Sequence, residues 1–208
     1  ISRDLATARR LVVDALHARR VQRRLWPLYR KRERLGRGEA KVAVYFADGD
    51  VNMYQMRQWY APLAELHRTQ PVTIIARNPT AALALLDESP VPIVYARKVQ
   101  QLEEFIEQQD LRVVLYVNQN ARNFQMMRYG RMWHVFVNHG ESDKMYMTTN
   151  QFKAYDYAFV AGQAARERLS RVLWDYDLDA RTFEIGRPQA DHYSGALPYT
   201  PDERTVVL

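Results

Sequence analysis

One stretch of this 208-residue chain pairs residue types suited to acid–base chemistry with a spacing that exposes them. The apolar run Val135-Phe136-Val137 is followed at once by Asn138, His139 and Gly140, with Lys144 four residues further on. An imidazole, with a reference pKa of about 6.5, is suited to take a proton from an attacking hydroxyl. Gly140 permits a tight turn and the close approach of a substrate. Lys144 stands within reach of an anionic group held at that turn. The plain alternative is a strand-end histidine bonded to backbone or to an aspartate. The other histidines are weaker candidates: His17 lies in a basic N-terminal segment, His67 near a helix end, His134 inside the strand, and His192 in a polar loop.

His139 is one of several polar residues that directly follow apolar runs. The others are Asp48-Gly49-Asp50, Arg77-Asn78, Arg97-Lys98, Asn118-Gln119-Asn120 and Gly162-Gln163. In an open α/β sheet such positions fall together at the carboxyl edge, where ligands bind. Several chemistries are disfavoured. The chain has no G-x-G-x-x-G, no phosphate-loop G-x-x-x-x-G-K-[ST], no H-E-x-x-H or acidic cluster at metal-ligand spacing, and no G-x-S-x-G. Hydride transfer, ATP-driven chemistry on this domain and serine hydrolysis are therefore unsupported, and no metal or cofactor is expected here. With no cysteine there is no disulfide, thiolate site or Cys nucleophile, which fits a reducing compartment.

The elements that must position these residues alternate in type. Short apolar strands are expected at 41–47, 72–76, 91–95, 112–117, 134–137, 155–161 and 182–185. Helices are expected at about 52–67, 78–86, 99–108 and 163–174, with a helical or irregular stretch at 120–129. Strands buried on both faces and separated by helices imply βαβ units and a doubly wound parallel sheet. Right-handed crossovers then place helices on both faces. At 47% hydrophobic and 26% charged, with no apolar run of membrane-spanning length, the composition is that of a globular domain.

Charge is concentrated at one end. Residues 1–38 hold 12 Lys and Arg against 3 Asp and Glu, a net +9, whereas the remainder carries −3. This arm reads as a helix with Leu5, Val12 and Leu16 on one stripe and Val21, Leu25 and Tyr29 on a second, out-of-phase stripe. Pro27 is expected to end or kink it, and Gly36-Arg37-Gly38 to form a hinge. A basic amphipathic segment with Trp26 and Tyr29 suits an anionic membrane surface. Packing on its own domain is the second reading, and a nucleic-acid backbone the third.

A wider set of residues resembles a known family. His139-Gly140, Lys144, Asn150, the run Tyr155-Asp156-Tyr157, the helix from Gln163 to Leu169, and Gly186-Arg187-Pro188 with Asp191 resemble the CDP-glycerol glycerophosphotransferases, the teichoic-acid primases and polymerases. The motifs span about residues 132–191; over 41–131 the likeness is one of fold only, and the arm lies outside it. Two places depart from the family pattern. Asn138 stands where a Trp usually precedes the HG pair, with Glu141-Ser142 after that pair in place of Thr-Pro, and Gln189 replaces the Arg of G-x-P-R-x-D, although Arg187 lies two positions earlier.

The resemblance implies a GT-B architecture, in which two Rossmann-like domains face each other across a cleft. Residues 1–38 are then a basic helical arm, 39–204 the acceptor-side domain, and 205–208 the start of a C-terminal domain that binds the CDP-glycerol donor. His139 is the implied general base, with Asn138, Gly140, Lys144, Arg187 and Asp191 as substrate-binding residues. For Arg187 and Asp191, a rigid cap on the last strand is an equal alternative. The implied acceptor is a lipid-linked polyol phosphate at the cytoplasmic face of the membrane, with residues 1–35 helping to hold the enzyme there as a peripheral protein. Two other readings stay open: a sugar-nucleotide glycosyltransferase of the same architecture, and a non-catalytic Rossmann-like module whose arm binds nucleic acid.

Overall fold

The computed structural model describes residues 2–31, 35–140 and 149–192. The expected strand starting at Thr205 lies outside the described residues.

The chain opens with α1 (Ser2–Lys31) and then alternates. β1 (Val42–Phe46) leads to α2 (Met53–Arg57) and α3 (Tyr60–His67), and β2 (Val72–Ala76) to α4 (Pro79–Glu88). β3 (Ile93–Tyr95) leads to α5 (Val99–Gln108), and β4 (Val113–Tyr116) to α6 (Phe124–Met127). β5 (Trp133–Phe136) is followed by β6 (Tyr157–Val160), α7 (Gln163–Val172), α8 (Leu178–Arg181), β7 (Thr182–Glu184) and α9 (Pro188–Asp191). All seven strands form one sheet in the order β3-β2-β1-β4-β5-β6-β7, and every pairing is parallel. The chain therefore winds outward from β1 in one direction, returns to β4, and winds outward in the other. This is the doubly wound, Rossmann-like α/β fold that the alternating pattern implies.

β1 and β2 are buried at each of their positions, so neighbouring residues alternate between two cores. Val42, Val44 and Phe46 face α2, α3 and α4 through Met53, Met56, Leu63, Leu85 and their neighbours. Ala43 and Tyr45 face α5, α6 and α7 through Leu102, Phe105, Met126 and Leu169. α4 and α8 start where the sequence offers a side-chain cap, Asn78 and Asp177. Asn78 Oδ1 accepts the Thr80 amide at 2.9 Å, with Pro79 in the first turn of α4.

Two expectations are corrected. Of the two outcomes expected at Pro27, an end or a kink, the end is ruled out: α1 continues through it to Lys31. The carbonyl that Pro27 leaves without its helical partner belongs to exposed Arg23, and the residues on either side anchor the helix to the domain. Leu25 is fully buried in the core, and the Tyr29 hydroxyl accepts the Tyr95 amide at 3.1 Å. The second stripe of the arm thus packs on the domain, whereas Val12 and Leu16 of the first, and Val13 beside them, are exposed. The second correction concerns the single helix expected at 52–67, which is broken at Gln58-Trp59 into α2 and α3.

The glycine segment before β1 is fastened to the end of α5. Gly38 N donates to Gln108 O at 2.8 Å, and the Gln109 side chain bonds both Gly36 O and Ala40 N. Positive φ at Gly38 (71°) makes this return possible.

Candidate functional site

β5 ends beside β4, and the next residues turn sharply. Val137 N and Asn138 N both bond to Tyr116 O, at 2.9 and 3.3 Å. Asn138 then takes φ 58°, a left-handed conformation that asparagine tolerates better than most residues. Its carbonyl accepts a hydrogen bond from the Trp59 indole, and its Oδ1 accepts the His139 amide at 2.8 Å. The break between α2 and α3 is what presents Trp59, because Trp59 N bonds back to Met56 O in a tight turn. Gly140 is not the residue that the turn demands. Its φ lies outside the left-handed region, and an added Cβ would meet only ordinary contacts, with Arg187 Nη2 at 3.6 Å and Gln58 Oε1 at 3.9 Å. The strained position is one residue pair earlier, at Asn138.

The turn fixes the imidazole. His139 is 9% exposed, and its ring stands edge-on to Tyr54 of α2 with centroids 5.7 Å apart. Nδ1 lies 2.9 Å from the Val117 carbonyl, which can only accept. In the neutral ring Nδ1 therefore carries the proton, and Nε2 is the nitrogen with a lone pair to offer. This is the form that a general base requires.

Next to it lies the crevice where the sheet changes winding direction, between the ends of β1 and β4. Asp48 fills it from β1. Asn118 Nδ2 donates to Asp48 Oδ2, and Asn120 Nδ2 to Asp48 Oδ1, both at 2.6 Å. Asn118 also donates to Gln55 Oε1 of α2 at 2.5 Å, and Asn118 O accepts from Asn123 Nδ2 at 2.7 Å. Tyr155 closes this network from below. Its hydroxyl bonds Asn123 and Asn118, and burial pushes its pKa up to about 12.

Of the residues singled out in the sequence, Asn138, Gly140 and Arg187 line one small cleft with Trp59, Phe159 and Ile185. Gly186, at φ 66°, makes the turn that brings Arg187 over Gly140. Asp191 sits exposed at the end of α9 and does not line this cleft. Lys144 lies outside the described residues. Asp48, Asn118 and Asn120 were recognisable as strand-end residues. Tyr54, Gln55 and Trp59 carried no such signal: they stand in a helical stretch some eighty residues before His139, and their apolar spacing reads as core.

Two of the remaining histidines are tied into the fold. His134 is bonded through both nitrogens, to the Tyr116 hydroxyl at 2.8 Å and to Tyr129 O at 2.9 Å. His67 Nδ1 accepts the Val72 amide at 2.9 Å.

No family model matches the sequence, and no curated protein matches it. What the structure establishes is a Rossmann-like α/β domain whose carboxyl edge carries an oriented imidazole beside a carboxylate–amide crevice.

Proposed function

We propose that this chain is the acceptor-side domain of a phosphotransferase of the CDP-glycerol glycerophosphotransferase type, with His139 as its general base. The observation that carries the proposal is the bond from His139 Nδ1 to Val117 O, which leaves Nε2 as the proton-accepting nitrogen at the carboxyl edge. In the reaction, an acceptor hydroxyl gives its proton to Nε2 while its oxygen bonds to the β-phosphorus of CDP-glycerol. The bond from that phosphorus to the oxygen bridging the two phosphates breaks, and CMP leaves with the electron pair. Such transfers ask the protein mainly for positioning and charge stabilisation. Arg187, whose guanidinium lies near Gly140, supplies a positive charge beside the turn. The donor nucleotide belongs to a second domain in this reading.

The arm supports a membrane-linked acceptor. Its exposed Val12, Val13 and Leu16 stand among Arg9, Arg19 and Arg20, while Val21 and Leu25 hold the helix to the domain. Among the described residues no helix is long and apolar enough to cross a membrane, so attachment would be to the surface. The triple variant Val12→Ser, Val13→Ser, Leu16→Ser should lose co-sedimentation with phosphatidylglycerol vesicles while keeping its fold. Undiminished binding would remove the arm from the proposal.

The catalytic test uses the full-length protein with a lipid-linked polyol-phosphate acceptor and a panel of activated donors. CMP released from CDP-glycerol, and lost in His139→Ala, is the expected result. UDP released from a sugar nucleotide would move the activity to glycosyl transfer. Silence with every donor, together with salt-sensitive nucleic-acid binding by the arm, would make the chain a binding module.

A further inference from the structure

A second cleft, of about 580 Å³, opens at the carboxyl ends of β1, β2 and β3, on the other side of β1 from His139. Its lining includes His17 of α1, Asp50, Arg77, Thr80, Arg97 and Arg122. The three arginines come from the segments after β2, β3 and β4, so the topology gathers them from far apart in sequence.

Arg77 is the unusual member. Its side chain has left water, being only 7% exposed, and the Tyr45 ring lies under the guanidinium at 5.8 Å. Nη2 donates to Arg97 O at 3.2 Å and to Gln125 Oε1 at 3.0 Å. Nε and Nη1 are buried and have no hydrogen-bond partner among the described residues. No carboxylate pairs with Arg77, Arg97 or Arg122 among the described residues. Burial lowers the Arg77 pKa, as expected for a cation taken from water without a counter-charge. A buried, half-bonded guanidinium is costly unless something anionic completes it.

Two further features point the same way. α4, ten residues long, begins at this cleft with Asn78 and Pro79, so the positive end of its dipole faces in. The acid in the lining, Asp50, is exposed, and its amide donates to Thr80 Oγ1 at 3.1 Å. Three guanidinium charges against one carboxylate leave two positive charges in excess, which a phosphate dianion balances. Donors converging from three loops also suit a tetrahedral anion better than a planar carboxylate.

We propose that this cleft binds a phosphoryl group, held by Arg77, Arg97 and Arg122 at the start of α4. The ligand is a phosphate monoester or diphosphate on a small metabolite, or one phosphate of a polyol-phosphate chain. Its test is independent of the proposed transfer reaction, because binding is read without any donor or turnover.

The test is calorimetric titration of the chain with inorganic pyrophosphate, glycerol 3-phosphate and a short glycerol-phosphate oligomer at low salt. Saturable one-to-one binding of at least one probe is expected, and a preference for the oligomer would assign the polymer as source. Arg77→Lys keeps the charge but loses the fork, and should weaken binding about tenfold or more. Arg97→Gln and Arg122→Gln, both at exposed positions, should each weaken it several-fold and leave the fold intact. Arg112→Gln and Arg128→Gln remove equal charge from ion pairs elsewhere and should change binding by less than about twofold. Absence of saturable binding, or equal losses in all five variants, would overturn the proposal.

Discussion

His134 and His139 sit five residues apart, one in β5 and one just past its end, and both are buried. Inside the sheet, His134 uses both ring nitrogens. Tyr129 O can only accept from Nε2, so in the neutral ring Nδ1 accepts from the Tyr116 hydroxyl. At the strand end, His139 is held through Nδ1 by Val117 O, and among the described residues no bond holds Nε2, which in the neutral ring is the acceptor. The same side chain is thus a structural tie in one place and, in the proposed function, a base in the other. What separates them is where the strand stops. Within the ladder the neighbours are aromatic rings and carbonyls that consume every polar atom; beyond it, the left-handed turn at Asn138 lifts the ring onto the edge.

The comparison breaks most visibly in turnover. If the proposed function holds, His139→Ala should lower kcat by about 10²- to 10⁴-fold, the usual contribution of a positioned general base, a far larger effect on turnover than on stability. His134→Ala should do the reverse. It leaves the Tyr116 hydroxyl and the Tyr129 carbonyl short of a partner and opens a cavity, costing about 2–4 kcal/mol, read as a lower denaturant midpoint. Activity per folded molecule should be kept.

The interior half of β5 is also sensitive to alkali. Tyr155 stacks on Phe136 at 5.0 Å, and its folded pKa of about 12 lies above the unfolded value of 10.0. The unfolded state therefore loses its proton first. This stabilising contribution is intact below about pH 10 and is lost as pH rises toward about 12, amounting to about 2–3 kcal/mol. Stability measured across that window should fall, and Tyr155→Phe should flatten the fall.

Two smaller effects sharpen the edge. Asp48→Asn sets a third amide against the donors of Asn118 and Asn120 and should cost about 1–2 kcal/mol. At Asn138, Ala should be about 1 kcal/mol less stable than Gly, because φ 58° penalises a Cβ. If the two were equal, the turn would not be what holds His139.

These contrasts also mark how far the sequence could be read. β1, β2 and β4 were legible because strands buried on both faces leave near-continuous apolar runs, and Asn78-Pro79 announced α4. His139 was legible because it directly follows such a run. The course of α1 through Pro27 was not, since it depends on Leu25 and Tyr29 anchoring the helix to distant elements. Nor was the role of Trp59, whose indole meets Asn138 only once α2 breaks. The lone guanidinium of Arg77 is equally silent in sequence: its neighbours Tyr45 and Gln125 are dozens of residues away. Strand ends are local facts, whereas partners across the sheet are not.

The most direct measurement is the ring-nitrogen NMR spectrum of the ¹⁵N-histidine-labelled chain at a pH where both imidazoles are neutral. His139 should show its proton on Nδ1 and His134 on Nε2, opposite tautomers on one strand. A proton on Nε2 of His139 would leave it no lone pair at the edge and would contradict its assignment as the base.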